Sequence, residues 1–228
     1  MESAALLSVL VLVPQLVGGL PGVPPVDCSD IYDQDNSRAS GVYTVYPIED
    51  TYGVQVFQRR MDGSLNFYRP WDYYRTGFGS ADGEIWLGLE NLFQLCLRKK
   101  YELLVDMEDF EGNKAYAHYS SFSIGPEDEG YKLEVTGFTD GGAGDSLNYH
   151  SGMKFSTFDK DQDIWYANNC ARHRLGAFWY HFCLDANPNG IYSWGSDGDN
   201  RGVGVEWEHW KGQNYSLKRI SFKIRPVK

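Results

Sequence analysis

The chain has 228 residues, 42% hydrophobic and 15% aromatic, which is enough to bury a sizeable core and excludes an intrinsically disordered chain. Its formal net charge of −10 would repel phosphates, so it excludes a nucleic-acid partner and favours cationic partners or divalent metal ions. The 25 glycines and 7 tryptophans point to many turns around an aromatic interior rather than to long helices.

Residues 4–17 are almost wholly apolar and run into Gly18 and Gly19, the pattern of a secretory signal peptide over 1–19. The run falls short of the roughly 18–20 residues of a membrane span, and no later segment is apolar enough for one. The mature chain is therefore expected to be soluble and secreted, to the extracellular space or matrix. A short leader, 20–26, contains Pro and Gly but no oligomerising repeat, and one continuous domain, 27–228, follows. Residues 42–46 and 54–58 alternate as strands do; Met61-Asp-Gly-Ser64 predicts a turn and 65–68 the next strand. A turn from Ser80 leads into a helix around 88–93. Residues 101–110 and 116–122 predict long strands paired through the turn Glu111-Gly-Asn113, and 131–137 adds another. After Gly141 turn-forming residues dominate to about Gly204, and 215–224 alternate again as one strand returning to the sheet. This order predicts an α+β domain, a mixed or antiparallel sheet with a loop-rich C-terminal lobe.

Within that lobe, Asp159-Lys-Asp161-Gln-Asp163 places carboxylates on alternate residues, an array of hard oxygens that suits Ca2+ better than it suits catalysis. It is not an EF-hand: with Asp159 as position one, the turn glycine falls on Ile164 and the bidentate glutamate on Cys170. Cys170 and Cys183 enclose a loop whose closure is worth about 3 kcal/mol. Cys28 has three outcomes open: a bridge between chains, a bridge to Cys96, or a free thiol, and Cys96 lies in an apolar run where a buried free thiol is common. Gly141-Gly-Ala-Gly-Asp-Ser146 lacks the lysine of a phosphate-binding loop and predicts a turn. His173 and His181 have no third zinc ligand at useful spacing. Glu108, Asp109 and Glu111 flank a hairpin turn and are expected to be solvated. Asn214-Tyr-Ser216 is an N-glycosylation sequon.

Six ordered segments carry a family resemblance: Phe57-Gln-Arg-Arg-Met-Asp-Gly-Ser64, Gly77-Phe-Gly79, Gly83-Glu-Ile-Trp-Leu-Gly-Leu-Glu-Asn91, Gly141 to Ser146, Lys154-Phe-Ser-Thr-Phe158 and Tyr215-Ser-Leu-Lys218. From about Asp27 to Val227 the chain resembles a fibrinogen-related domain. The resemblance implies a three-part fold whose loop-rich lobe holds calcium through the Asp161 and Asp163 carboxylates and main-chain oxygens near Trp165 and Ala167. The stretch from Asp163 to Cys170 is one residue longer than the family's. Lectin members recognise acetyl groups in an aromatic pocket beside the second bridge cysteine, which a cis peptide precedes and a histidine follows. Here those positions carry Phe182 before Cys183 and Leu184 after it, and positions that are usually aromatic carry Arg174, Arg201 and Gln213. Two arginines at a pocket mouth could instead hold a carboxylate or sulfate. The family also carries a longer stretch where this chain is shortened, near 48–55, and the cysteine lost with it is the usual partner of Cys28. The function implied is a non-catalytic, calcium-dependent binding module of the extracellular matrix, associated with elastic fibres or microfibrils, or of innate pattern recognition. Its expected partners are matrix proteins or glycans; of the three outcomes open to Cys28, the bridge between chains would give a homo-oligomer. The alternative is a glycan-directed hydrolase using the acidic segment.

Overall fold

The computed structural model describes residues 54–196, 198 and 201–227. The expected signal segment, the leader, the strand over 42–46 and Cys28 lie outside them. The chain divides into two compact units, Met1–Gln55 and Val56–Lys228, and the elements named below belong to the second, apart from the first residue of β1. In chain order the strands are β1 (Gln55–Arg60), β2 (Phe78–Gly79), β3 (Ile85–Trp86), β4 (Tyr101–Glu108), β5 (Lys114–Ile124) and β6 (Leu133–Gly141). Then come β7 (Ala186–Asn187), β8 (Gly195–Ser196), β9 (Glu206–Trp207), β10 (Tyr215–Ser216) and β11 (Arg219–Pro226). Among the described residues four short α-helices are interleaved: α1 (Trp71–Thr76), α2 (Leu89–Arg98), α3 (Cys170–His173) and α4 (Glu208–Lys211).

A seven-stranded sheet in the order β2-β3-β1-β11-β4-β5-β6 forms the body, and two two-stranded ribbons, β10-β8 and β7-β9, belong to the C-terminal lobe. Strict alternation drives the long strands. Tyr101, Leu103, Val105 and Met107 of β4 are buried, and the register sets Val105 opposite Phe222 of β11 and Ala117 of β5, so the apolar sides share one face. The opposite face carries a charge ladder in which Lys223 reaches Asp106 (2.6 Å) and Arg225 reaches Glu102. On the buried face Trp86, Tyr74, Phe155 and Trp179 pack ring against ring, with centroids 5.1–6.2 Å apart in the contacting pairs. Each such aromatic, fully buried, contributes about 1.5–3 kcal/mol.

Three local expectations are corrected. Residues 65–68 form no strand: the Leu65 N–H goes to a Glu84 carboxylate oxygen (3.0 Å), and Asn66 turns the chain by accepting the Tyr68 N–H (2.9 Å). A helix follows instead, α1, entered through Pro70 and burying Trp71 and Tyr74 three residues apart. The helix expected around 88–93 runs on to Arg98 and carries Cys96, a half-buried free thiol whose pKa burial pushes up to about 11. The last strand breaks between β10 and β11, because the Leu217 N–H is drawn to the Val205 carbonyl (2.7 Å) in the lobe. The Met61–Ser64 turn is as expected, with Gly63 at φ 73°, where a Cβ would come within 2.7 Å of the Tyr192 ring.

The lobe is fastened to the sheet by a buried ion pair. Arg60 lies 3.4 Å from Glu84, donates to the carbonyls of Gly190 (2.6 Å) and Pro188 (3.2 Å), and stacks 4.1 Å over the Phe67 ring. Glu84 in turn accepts the N–H groups of Met61, Asp62, Gly63 and Leu65 at 2.9–3.3 Å. One carboxylate thus neutralises the guanidinium and ties down the turn that carries it.

Candidate functional site

The acidic segment lies in irregular backbone before α3, and its three aspartates do different work. Asp159 is committed to the fold, accepting from Trp71 N (2.9 Å) and Thr157 Oγ1 (2.7 Å). Asp163 staples its own loop: one oxygen accepts the Trp165 N–H (2.8 Å) and the other the Cys170 N–H (2.8 Å). Asp161 accepts a long bond from Asp163 N (3.3 Å), and its carboxylate lies within hydrogen-bonding reach of the Asp163 carboxyl. Burial, helped by the neighbouring Asp161 carboxylate, pushes the Asp163 pKa up against those two backbone donors. Among the described residues no group of three or more His, Cys, Asp and Glu side chains converges as a metal cluster. A cation in this loop would therefore draw on Asp161, Asp163 and main-chain carbonyls.

The loop is closed by covalent and capping contacts. Asn169 caps α3 by accepting the Arg172 N–H (2.9 Å) and donates to the Thr157 carbonyl (3.2 Å). Cys170 and Cys183 are bridged with Cα atoms 5.5 Å apart and a sequence separation of 13. Replacing both cysteines by alanine is expected to lower unfolding free energy by about 3 kcal/mol, read as a denaturant-midpoint shift that disappears when the wild type is measured under reducing conditions.

Beyond the bridge, the peptide Phe182–Cys183 is cis. The structure brings together the four residues singled out beside it. Arg174 Nη1 donates to the Arg201 carbonyl (2.9 Å), Arg201 Nε to Gln213 Oε1 (3.0 Å), and Gln213 Nε2 to the Leu184 carbonyl (3.0 Å). Gly202, at φ 78°, makes room for this chain of bonds; a Cβ there would meet Arg174 Nη1 at 2.6 Å. Leu184 is buried, whereas Phe182 and Arg201 are exposed. Phe182 packs on Trp165 (5.7 Å), joining the bridge to the acidic loop.

Under this surface lies His150, which sequence reasoning missed. It is fully buried; Nδ1 donates to the Trp179 carbonyl (2.7 Å) while Nε2 accepts the N–H groups of Asp185 and Ala186 (both 3.1 Å). Two backbone donors on Nε2 require the neutral ring, and burial pushes its pKa from 6.5 down to about 4. Between those values the unfolded chain binds the proton and the folded one does not, so stability is complete above pH 6.5 and falls as pH drops toward 4, by about 3 kcal/mol in total. A histidine-resolved NMR titration should show this ring neutral down to about pH 4, and an ordinary titration near 6.5 would contradict the assignment.

The profile of the C-terminal globular domain of fibrinogen beta and gamma chains matches residues 24–227. The chain belongs to this fibrinogen C-terminal domain family. It is 51% identical over 219 residues to human microfibril-associated glycoprotein 4, covering 88% of this chain and 85% of the relative. Human fibrinogen C domain-containing protein 1 is 46% identical over 219 residues, covering 88% of this chain and 47% of that protein. The fibrinogen-like globe domain of human ANGPTL2 shares the fold at a TM-score of 0.83 and 40% identity, covering 90% of this chain and 100% of that one. Lamprey fibrin D-dimer, complexed with the peptide Gly-His-Arg-Pro-amide, gives a TM-score of 0.80 at 32% identity, covering 89% of this chain and 73% of that one.

The remaining candidate groups of this fibrinogen-like domain have structural uses. Gly141–Ser146 turns around a carboxylate, with Asp140 accepting the N–H groups of Gly142 (2.8 Å) and Gly144 (2.9 Å). Asp109 corrects the expectation of solvated acids: it is buried and held by Lys211 (2.6 Å) and Asn113 (2.8 Å). Glu108 pairs with Lys218 (2.7 Å). His173 packs on Trp165 (4.8 Å) and His181 on Tyr149 (4.6 Å). Asn214 is exposed, whereas its sequon partner Ser216 is buried and accepts the Ser193 (3.3 Å) and Val205 (3.0 Å) N–H groups. The roles of His150 and Glu84 were not legible in the sequence, since their partners lie about twenty or more positions away and no periodicity marks them. Among the described residues no helix is long and apolar enough to cross a membrane.

Proposed function

We propose that this chain is a secreted, non-catalytic binding module of the extracellular matrix, whose bridged lobe binds calcium and recognises an anionic group on a matrix protein or glycan. The supporting observation is the convergence, around the Cys170–Cys183 bridge, of the Asp161/Asp163 loop and the linked chain Arg174, Arg201, Gln213 and Leu184. Identity of 51% to human microfibril-associated glycoprotein 4 supports the matrix setting.

The donor set fits Ca2+. Asp161 and Asp163 supply hard carboxylate oxygens, and two neighbouring acids with one already pushed toward its neutral form are the arrangement a dication relieves. The Trp165 carbonyl accepts one N–H, from Asn168 (3.0 Å), and keeps a second lone pair; Ala167 follows at φ 75° in non-repetitive backbone. Bound calcium would neutralise the acids and cross-link 161–167. The chain's own part is to hold that loop in register with the pocket through the bridge and the Trp165–Phe182 contact.

Where the acetyl-binding members are described by aromatic walls, this chain carries Arg174, Arg201 and Gln213, tied to one another and to the Leu184 carbonyl, so the apolar wall for an acetyl methyl is missing. The exposed Arg201 guanidinium offers forked hydrogen bonds to a carboxylate or sulfate. The test is binding of the purified protein to sulfated, carboxylated and acetylated glycans and to elastic-fibre proteins, with calcium and with chelator. Calcium-dependent binding that favours anionic ligands, and weakens about tenfold or more in Arg201→Ala, is expected; equal, calcium-independent binding to all would contradict it. Turnover of any glycan in the same assay would favour the hydrolase reading instead.

A further inference from the structure

Tyr166 is 94% exposed, the most exposed large hydrophobic side chain among the described residues. Its loop puts it there. Because Asp163 takes the N–H groups of both Trp165 and Cys170, the residues between them must bow outward. Trp165 turns in against His173 (4.8 Å) and Phe182 (5.7 Å), and Tyr166 is left in water, followed by Ala167 at φ 75°. Burying such a ring would stabilise the fold by about 1.5–3 kcal/mol, so stability does not account for its position.

The flanking sequence is as distinctive as the exposure. Asp159, Asp161 and Asp163 precede Tyr166, and no Lys or Arg lies between Lys160 and Arg172. Tyr73 and Tyr116 are about half exposed, but they lie within a helix and a strand and have Arg75 and Lys114 two residues away. An exposed phenol in an acidic, non-repetitive segment fits the basic substrate groove of an enzyme that modifies tyrosine hydroxyls by charge complementarity.

We infer that Tyr166 is a site of tyrosine O-sulfation, acquired during transit of the secretory pathway from a phosphoadenosine phosphosulfate donor. The phenol oxygen attacks the sulfuryl sulfur, the bond from sulfur to the donor's phosphate oxygen breaks, phosphoadenosine phosphate leaves, and the phenol proton passes to a base of the transferase. No electrons change hands. The product places a further fixed anion on the loop of Asp161 and Asp163, which strengthens its appeal to a basic partner.

The inference rests on the secreted reading above, and one experiment separates the two. The full chain is expressed in mammalian cells fed radiolabelled inorganic sulfate, and the medium and the cells are assayed after enzymatic removal of N-glycans. Labelled protein in the medium that yields tyrosine sulfate on alkaline hydrolysis, with label falling to background in Tyr166→Phe secreted at the wild-type level, is the expected result. A secreted chain without label, or label that persists in Tyr166→Phe, overturns the sulfation site alone. A chain retained in the cytosol overturns both readings.

Discussion

Replacing Glu84 with alanine should lower unfolding free energy by about 3–5 kcal/mol, the loss typical of removing one partner of a buried ion pair. The size follows from what is stranded. Arg60, 1% exposed, would keep its charge with no counterion, and the N–H groups of Met61, Asp62, Gly63 and Leu65 would lose their acceptor. Burial already lowers the Arg60 pKa, and the nearby Glu84 carboxylate opposes that shift. Glu84→Gln keeps an acceptor without the charge and should fall between wild type and alanine. Urea unfolding measures the series. A loss under about 1 kcal/mol for Glu84→Ala, the scale of a surface pair, would show that the pair does not fasten the lobe through Gly190 and Pro188.

The second large effect is expected at Asp163, and it differs in kind from that at Asp161. Asp163→Ala removes the charged acceptor from two backbone donors, each such bond being worth about 1.5–3 kcal/mol before water relieves the half-exposed loop. A loss of about 2–4 kcal/mol should therefore persist in chelator. Asp161→Asn keeps a side-chain oxygen for the 3.3 Å bond from Asp163 N and removes only the charge, so it should be near neutral in chelator and should differ from wild type only when calcium is present. Thermal melts of the three proteins with and without calcium separate a structural staple from a metal ligand. Equal losses for both variants in chelator would contradict the division of labour.

The parts legible in the sequence were those in which neighbours in the chain are neighbours in space. Alternation in 101–110 and 116–122 points to a paired hairpin, which the structure sets at Tyr101–Glu108 and Lys114–Ile124, because one face of each strand is buried and the Glu111–Asn113 turn is local. Cys170 and Cys183 announced a bridge because only 13 positions separate them. The apolar and aromatic run at 65–68 promised a strand, but a carboxylate nineteen positions away took its first N–H, and side-chain competition of that kind has no period. The helix at Trp71–Thr76 was hidden by strand-favouring aromatics, although Pro70 before it and Gly77 after it were the available signs. At Tyr215–Ser216 the alternation continued across a real break, and the two consecutive buried positions, Ser216 and Leu217, are what mark the turn from lobe to sheet. The site divides in the same way: its acids and cysteines are contiguous, whereas the Arg174, Arg201 and Gln213 linkage depends on Gly202 and on packing that no local pattern encodes.

The proposed calcium site is the Asp161/Asp163 loop, held by the Cys170–Cys183 bridge. Calorimetric titration of calcium into the wild-type protein, Asp161→Asn and Asp163→Asn tests it most directly. Saturable binding of one calcium ion by the wild type is expected, with strong weakening in both variants while their fold is retained by circular dichroism. Absence of calcium binding in the wild type, or undiminished binding in both variants, would contradict it.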